Sequence, residues 1–159
     1  MSAQEQVAVH VVFRPMAEED LDWVSQTEQG IYAFPWSRTN FADSLSAGYS
    51  SWIMLVDGQA VGYAVLMLVM DEAHLLNISI KPALQGRGLG TLLLEHVCAV
   101  ASRAGGVQMF LEVRASNEAG LRLYDKWSFV RIGQRKDYYP AVNGREDAIV
   151  MRREMGRQE

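Results

Sequence analysis

The sequence predicts a mixed α/β (α+β) fold, with helices on both faces of a mostly antiparallel sheet of about seven strands. The first observation is the order of strand-like and helix-like segments, which reads β-α-α-β-β-β-α-β-α-β-β. The second is a glycine-rich loop between an apolar strand and an apolar helix, because a strand–helix–strand unit across it requires one parallel crossover. The third is the absence of repeats and linkers in 159 residues, which favours a single domain over residues 1–159.

The N-terminal part predicts one strand and two helices. The stretch "VHVVFRPM" reads as a strand that Pro15 stops. The stretch "AEEDLDWVSQTEQ" has an acidic first turn and places Leu21 and Val24 at helical spacing, so a helix is expected. After the interruption "AFPW", Ser37 is a suitable N-cap for a short second helix through about Leu45.

The middle of the chain predicts three strands and a helix. Two apolar runs flank Asp57-Gly58, which is a hairpin signal. "AHLLNISIKP" is the next strand, and after the glycine loop a helix is expected from about Leu89 to Arg103.

The C-terminal part predicts a strand, a helix and a closing hairpin. "VQMFLEVRA" reads as a strand, and Asn117 is the expected N-cap of a short helix over "NEAGLRLYDKW". "FVRIGQRKDYY" and "EDAIVMRR" are expected to pair antiparallel around the turn "PAVNG".

Composition excludes several classes of protein. The net charge of −4 and the pI near 5.4 argue against direct nucleic-acid binding. Cys98 is the single cysteine, so no internal disulfide forms and a reducing compartment is expected. The longest apolar run is too short for a membrane helix, and the N-terminus lacks the pattern of a signal peptide. We therefore expect a cytoplasmic monomer that binds no membrane.

Metal chemistry is not expected. The three histidines, His10, His74 and His96, lie apart, and neither H-E-x-x-H nor C-x-x-C occurs.

The glycine loop "LQGRGLGT" predicts an anion site. Its spacing, Q-x-x-G-x-G, fits neither the dinucleotide fingerprint nor the Walker loop. Backbone N–H groups at the start of a helix still bind phosphate, and glycine lets phosphate oxygens approach them. A glycine-rich turn without any ligand is the open alternative. The expected contacts are Gln85, Gly86, Arg87, Gly88, Leu89, Gly90 and Thr91.

The chain resembles the GNAT acetyltransferases, in which a Q-x-x-G-x-G loop between a strand and a helix holds the pyrophosphate of acetyl-CoA. The resemblance is closest to the RimI subfamily, whose members acetylate the N-terminus of a ribosomal protein. It is carried by "AFPWS", "DEAHLLNISIKPALQGRGLGTLLLEHV", "LEVRASN", "LY", "YYP" and "GREDAIVM", and it covers residues 33–151. It implies the GNAT fold and acetyl-CoA as co-substrate.

The resemblance also implies roles for individual residues. Glu112 of "LEVRASN" would be the general base, and Tyr124 the general acid that protonates the leaving thiolate. The pattern alone favours a solvated glutamate that can pair with Arg114 at position 112 and a core residue at Tyr124, and it is the resemblance that reverses these readings. The further cofactor contacts implied by the resemblance are Ile78, Ser79, Ile80 and Asn117.

The acceptor implied by the resemblance is the N-terminal alanine amine of a small-subunit ribosomal protein. Four aromatic residues would line its groove, although core or turn packing explains them equally: Phe34, Trp36, Tyr138 and Tyr139. Asp71 and Glu72 would meet basic residues of the acceptor, unless they form a solvated turn. Three alternatives stay open: acetylation of a lysine or small amine, a non-catalytic acyl-CoA-binding regulator, and a nucleotide-binding module.

Overall fold

The computed structural model describes residues 9–156, in which seven strands and four helices follow the predicted order. The N-terminal stretch on which the expectation about a signal peptide depends lies mostly outside these residues. The strands are β1 (Val11–Pro15), β2 (Ser50–Val56), β3 (Gln59–Val69), β4 (Glu72–Ile80), β5 (Gln108–Arg114), β6 (Val130–Ala141) and β7 (Gly144–Glu154). The helices are α1 (Leu21–Ile31), α2 (Arg38–Ser46), α3 (Leu89–Arg103) and α4 (Glu118–Lys126).

All seven strands form one sheet in the order β1-β2-β3-β4-β5-β7-β6. Only β4 and β5 run parallel, and α3 makes the crossover between them; every other neighbouring pair is antiparallel. The predicted mixed sheet with one parallel crossover is confirmed.

The predicted turn and helix caps are present. Asp57 and Gly58 both have positive φ, 50° and 82°, as a tight turn between β2 and β3 requires. The Ser37 hydroxyl accepts the backbone N–H of Asn40 at 3.1 Å, and the Asn117 side chain accepts that of Gly120 at 2.9 Å. Helices α2 and α4 therefore each begin where a side-chain oxygen satisfies a free backbone N–H group.

The first helix begins later than predicted. Residues Glu18–Asp20 form a single 3-10 turn, and α1 starts at Leu21. The Asp20 carboxylate accepts two hydrogen bonds from Arg14 and one from the backbone N–H of Ala17, each at 2.8 Å. Because these bonds hold Asp20 against Arg14 of β1, residues 18–20 form a separate turn before α1 begins.

Helices cover both faces of the sheet, as predicted. On one face, α1 and α2 bury Leu21, Val24 and Phe41 against β3 residues Tyr63 and Val65. On the other face, α3 and α4 pack against the sheet with Leu93, Leu94, Val97, Cys98, Leu121 and Tyr124. Cys98 is thus a small core residue, and its burial raises the pKa of the thiol. Among the described helices, none is both long and apolar enough to cross a membrane.

The parallel pair separates halfway along its length. Strands β4 and β5 pair only where residues 72–75 face residues 108–111. Beyond Leu75, β4 continues to Ile80 with β3 alone as its neighbour, while β5 continues beside β7. The sheet therefore opens between β4 and β5, and one backbone edge of residues 76–80 is left without a strand partner.

Candidate active site

A cavity of about 320 Å³ lies at the opening between β4 and β5. Residues from the segment between α1 and α2, from both strands, from α4 and from the end of β6 surround it. The predicted site residues among its lining are Phe34, Trp36, Ile78, Glu112, Asn117, Tyr124 and Tyr139. The fold thus brings the predicted base, the predicted acid and three of the six predicted acceptor residues to one place.

Glu112 projects from β5 into this cavity with 32% of its side chain exposed. The expected alternative, a pair with Arg114, is wrong. Instead, Arg135 of β6 donates from Nε to Oε2 of Glu112. One carboxylate oxygen is therefore held by a cation from the neighbouring hairpin, and no described side chain bonds the other.

Arg114 connects the two sides of the cavity mouth. Its guanidinium lies 5.3 Å from the ring centre of Phe34 and 4.6 Å from that of Tyr139. It also donates to Glu146 at 2.8 Å and to the carbonyl of Pro140 at 2.7 Å. Stacking and charge-assisted bonds from one side chain join the segment after α1 to the β6–β7 hairpin.

Tyr124 is buried, with 8% of its surface exposed, and its ring packs against Phe129 at 5.7 Å. Its position on the apolar stripe of α4 explains the burial. Burial raises the pKa of the phenol, so the hydroxyl keeps its proton throughout the neutral range. Among residues 9–156 this hydroxyl makes no hydrogen bond, although it belongs to a residue that lines the cavity. It is a proton donor without a protein acceptor.

The predicted acceptor aromatics do not all lie in the cavity. Phe34, Trp36 and Tyr139 line it, whereas Tyr138 lies beside it, with its ring 5.5 Å from the guanidinium of Arg135. Burial raises the pKa of Tyr139 to about 12, and the negative charge of Glu112 contributes to that rise. The Tyr139 phenol is thus neutral at the wall that carries Glu112.

Asp71 and Glu72 lie away from this cavity. Asp71 is in the turn before β4, and Glu72 begins the strand at the end opposite the glycine loop. Glu72 lines a second cavity of about 190 Å³, which also involves Glu112 and Arg135. Its carboxylate lies 3.4 Å from Nε2 of His74, so it already has a neighbour within the protein.

The glycine loop follows β4 and leads into α3. Gly86 and Gly88 have φ of 78° and 83°, and a Cβ at either position would meet no atom within 4 Å. Gly88 is the N-cap of α3, where no side chain satisfies the first N–H groups. The open N-terminus of a 15-residue helix and two glycines that expose backbone fit an anion such as a pyrophosphate.

Gln85 holds the loop in place. Its side-chain amide donates to the carbonyl of Ile80, the last residue of β4, at 3.0 Å. The structure thus gives Gln85 a role in shaping the loop that the sequence did not predict. The Ser79 hydroxyl lies 2.7 Å from that of Tyr32, so this side chain faces α1 while the backbone of residues 76–80 faces the opening.

A buried polar network in the wall of the cavity was not predicted. Glu28 of α1, only 2% exposed, accepts hydrogen bonds from Tyr63, Asn77 and the backbone of Trp36. A signal for it exists in the sequence. Glu28 lies seven positions after Leu21 and four after Val24, on the stripe that α1 buries. A charged residue on a buried stripe requires internal partners.

Within the described part of the chain, no group of three or more His, Cys, Asp or Glu side chains is placed to hold a metal ion.

A family model for the acetyltransferase (GNAT) family matches residues 16–129. The chain belongs to the GNAT acetyltransferase family. It is 40% identical over 132 residues to the [ribosomal protein bS18]-alanine N-acetyltransferase of Escherichia coli K12, covering 83% of this chain and 89% of that protein. The resemblance to the RimI subfamily is thereby confirmed, and the chain is an acyltransferase.

Solved structures agree with this assignment. The crystal structure of the ribosomal-protein-S18-alanine N-acetyltransferase from Escherichia coli superposes with a TM-score of 0.88 at 35% identity, covering 94% of this chain and 97% of that one. The structure of yncA from Salmonella typhimurium with its cofactor acetyl-CoA has a TM-score of 0.76 at 19% identity, covering 93% and 95% of the two chains. The second match supports the GNAT fold alone.

Proposed function

We propose that the whole chain is one N-α-acetyltransferase domain that moves the acetyl group of acetyl-CoA to the N-terminal alanine amine of a small-subunit ribosomal protein. The activity named for the Escherichia coli relative supports this acceptor. The observation that carries the proposal is the opening between β4 and β5, where Glu112 and Tyr124 line the same cavity. A catalytic base and a catalytic acid are needed together for acyl transfer to an amine.

Acetyl-CoA would bind along the opened edge of the sheet. Its pyrophosphate would lie on the backbone of residues 85–91, where Gly86 and Gly88 leave room for it. Arg87, exposed at the rim, adds a positive charge, and Asn117 lies at the cavity side of α4. The amide-rich arm would run along residues 78–80, because an unpartnered strand edge offers backbone groups to an extended chain. The bound thioester supplies the activated acyl group.

Glu112 would take the proton from the amine, directly or through water. A terminal α-amine has a pKa near 7.7–8.0, so a useful fraction is already neutral at pH 7, whereas a lysine amine near 10.4 is almost entirely charged. A carboxylate is a modest base, and it therefore suits an N-terminal amine better than a lysine. The oxygen of Glu112 that Arg135 does not bond is the one available for this step.

Tyr124 would protonate the departing thiolate. Its raised pKa keeps the phenol protonated at the pH at which the enzyme works, and its hydroxyl has no competing acceptor among residues 9–156. The amine attacks the thioester carbon directly, so no covalent enzyme intermediate is formed. Cys98 is buried in the core on α3 and takes no part.

The test uses two synthetic peptides and mass spectrometry. The first begins with a free alanine followed by a ribosomal N-terminal sequence that contains no lysine. The second has the same sequence with its N-terminus blocked and one lysine added. Incubation with acetyl-CoA and the enzyme is expected to add one acetyl group to the alanine of the first peptide only. Acetylation of the blocked peptide alone would reject the proposed acceptor in favour of a lysine.

A further inference from the structure

We infer that Glu28 is a positioning residue for the acceptor. It fixes the α1–α2 segment, defined here as residues 32–37, against the free edge of β4. The inference rests on the proposed function, because it concerns the wall of the cavity that the acceptor would enter. Glu28 lines this cavity, but its hydrogen bonds go to neither of the residues proposed as base and acid.

The surroundings of Glu28 supply hydrogen bonds but no countercharge. Its Oε1 accepts from the Tyr63 hydroxyl at 2.8 Å and from the Asn77 amide at 3.1 Å, and its Oε2 accepts from the backbone N–H of Trp36 at 2.9 Å. No salt bridge to Glu28 occurs within residues 9–156. A buried carboxylate is costly unless it is hydrogen-bonded, and an apolar residue would suit this stripe without that cost. We therefore explain the presence of a carboxylate at position 28 by the three groups that it hydrogen-bonds.

Those groups belong to three different elements. Tyr63 is on β3, Asn77 is on the part of β4 that no longer pairs with β5, and Trp36 is in the α1–α2 segment. The segment contains no helix or strand of its own, and its residues Phe34 and Trp36 line the cavity. The bond to the Trp36 N–H is thus a fixed point between the two ends of the segment, where the backbones of Tyr32 and Ser37 bond the adjoining helices.

The network returns to the same segment through β4. The Asn77 side-chain oxygen accepts from the Ser79 hydroxyl at 2.8 Å, and Ser79 bonds the hydroxyl of Tyr32 at 2.7 Å. The segment is consequently tied to β4 at both ends, near Tyr32 and near Trp36. The strand edge would carry the thioester arm, and the segment would carry the acceptor. Glu28 thus sets the distance between the two reactants, which must be held near 3–3.5 Å for attack.

Two variants of Glu28 and one control test this role. Glu28→Ala removes every acceptor, so kcat/KM for the alanine peptide is expected to fall roughly 30- to 100-fold, as a displacement of about 1 Å can cause. The Kd for acetyl-CoA is expected to change less than about threefold, because the glycine loop is untouched. Ser25→Ala is the control, since Ser25 is buried on the same helix and its hydroxyl, within the described part of the chain, bonds only the carbonyl of Asp22. It should retain wild-type kinetics.

Glu28→Gln separates position from charge. A glutamine oxygen can still accept the Trp36 N–H, while the Tyr63 hydroxyl and the Asn77 amide can turn to accept its N–H groups. We therefore expect Glu28→Gln to retain most of the activity that Glu28→Ala loses. Wild-type kcat/KM in Glu28→Ala, or an equal loss in both variants, would overturn the inference.

Amide hydrogen exchange gives a readout that needs no catalysis. The Trp36 amide is expected to exchange slowly in the wild type and at least about tenfold faster in Glu28→Ala. If that variant does not fold, Glu28→Asp replaces it, because its carboxylate is retracted by one methylene and still charged. An unchanged Trp36 exchange rate in Glu28→Asp would contradict the inference. Should the wild type fail to acetylate the peptide, the proposed function would be wrong, while the exchange rates would still show whether Glu28 holds the segment.

Discussion

At the scale of residues, the proposed chemistry depends on Glu112 and Tyr124, which have different surroundings. Glu112 is partly open to solvent and bonded by Arg135, whereas Tyr124 is buried and its hydroxyl makes no hydrogen bond among residues 9–156. A base must exchange protons with water between turnovers, and an acid must keep its proton until the thiolate forms. The two environments therefore match the two roles.

Removal of either group should reduce transfer without preventing cofactor binding. We expect Glu112→Gln and Tyr124→Phe each to lower kcat about 10²- to 10⁴-fold, the range for loss of a general acid or base. The Kd for acetyl-CoA, measured by calorimetry, should stay within about threefold of the wild type. Glu95→Gln, an exposed carboxylate on α3, is the control. Normal turnover in both site variants would favour a different pair of catalytic groups.

The pH profile offers a second check on Tyr124. Burial raises its pKa above the ordinary tyrosine value, so the phenol stays protonated as the pH rises through neutrality. Loss of activity from ionisation of Tyr124 is therefore expected only above about pH 10, the value for an unperturbed tyrosine. A fall in kcat centred below about pH 9 that disappears in Tyr124→Phe would contradict this assignment.

The sequence predicts some of the site residues and misses others. Glu112, Tyr124 and Asn117 follow from the resemblance, and the structure brings them to one cavity. Glu28 does not follow, because its partners Tyr63 and Asn77 are 35 and 49 positions away. The pairing of Glu112 with Arg135 rather than Arg114 likewise depends on β6, which reaches β5 only through β7. Contacts that cross the sheet are fixed by tertiary structure and not by local spacing.

Among the elements, the glycine loop contains two glycines that have different structural roles, Gly88 and Gly90. Gly88 has positive φ, and its missing Cβ would point into open space. Gly90 has ordinary helical backbone, and a Cβ there would lie 3.8 Å from Leu123 and 3.9 Å from Ile80, which is normal packing distance. The same methyl group would thus face the proposed phosphate site at one position and the protein interior at the other.

We therefore expect Gly88→Ala and Gly90→Ala to differ. Gly88→Ala should raise the Kd for acetyl-CoA about tenfold or more, because the added Cβ obstructs the N–H groups at the start of α3, and it should lower the free energy of unfolding by roughly 1–2 kcal/mol, because the residue is left-handed. Gly90→Ala should leave the Kd within about threefold and stabilise the helix by about 0.5–1 kcal/mol. Calorimetry and thermal unfolding measure the two effects. Equal affinities for the two variants would exclude this loop as the pyrophosphate site.

At the scale of the whole molecule, the decisive feature is the opening between β4 and β5. The sequence predicts that these strands are parallel and joined by α3, because a crossover helix separates them. It does not predict that pairing stops after Leu75 and Leu111, since both strands remain regular and well formed beyond that point. The separation is visible only in the pairing of the complete sheet, where β4 continues to pair with β3 and β5 continues to pair with β7.

A ligand that pairs with the free edge of β4 should stabilise the folded state more than a ligand that occupies the glycine loop alone. A ligand that binds only the folded state at 100 times its Kd stabilises it by about 2.7 kcal/mol. For a chain of this size, that corresponds to a rise in Tm of roughly 5–10 °C. We expect acetyl-CoA to produce this rise. ATP should produce much less, because it offers phosphates to the loop but no arm for the free edge of β4. Stabilisation by ATP and none by acetyl-CoA would identify the loop as part of a nucleotide site instead.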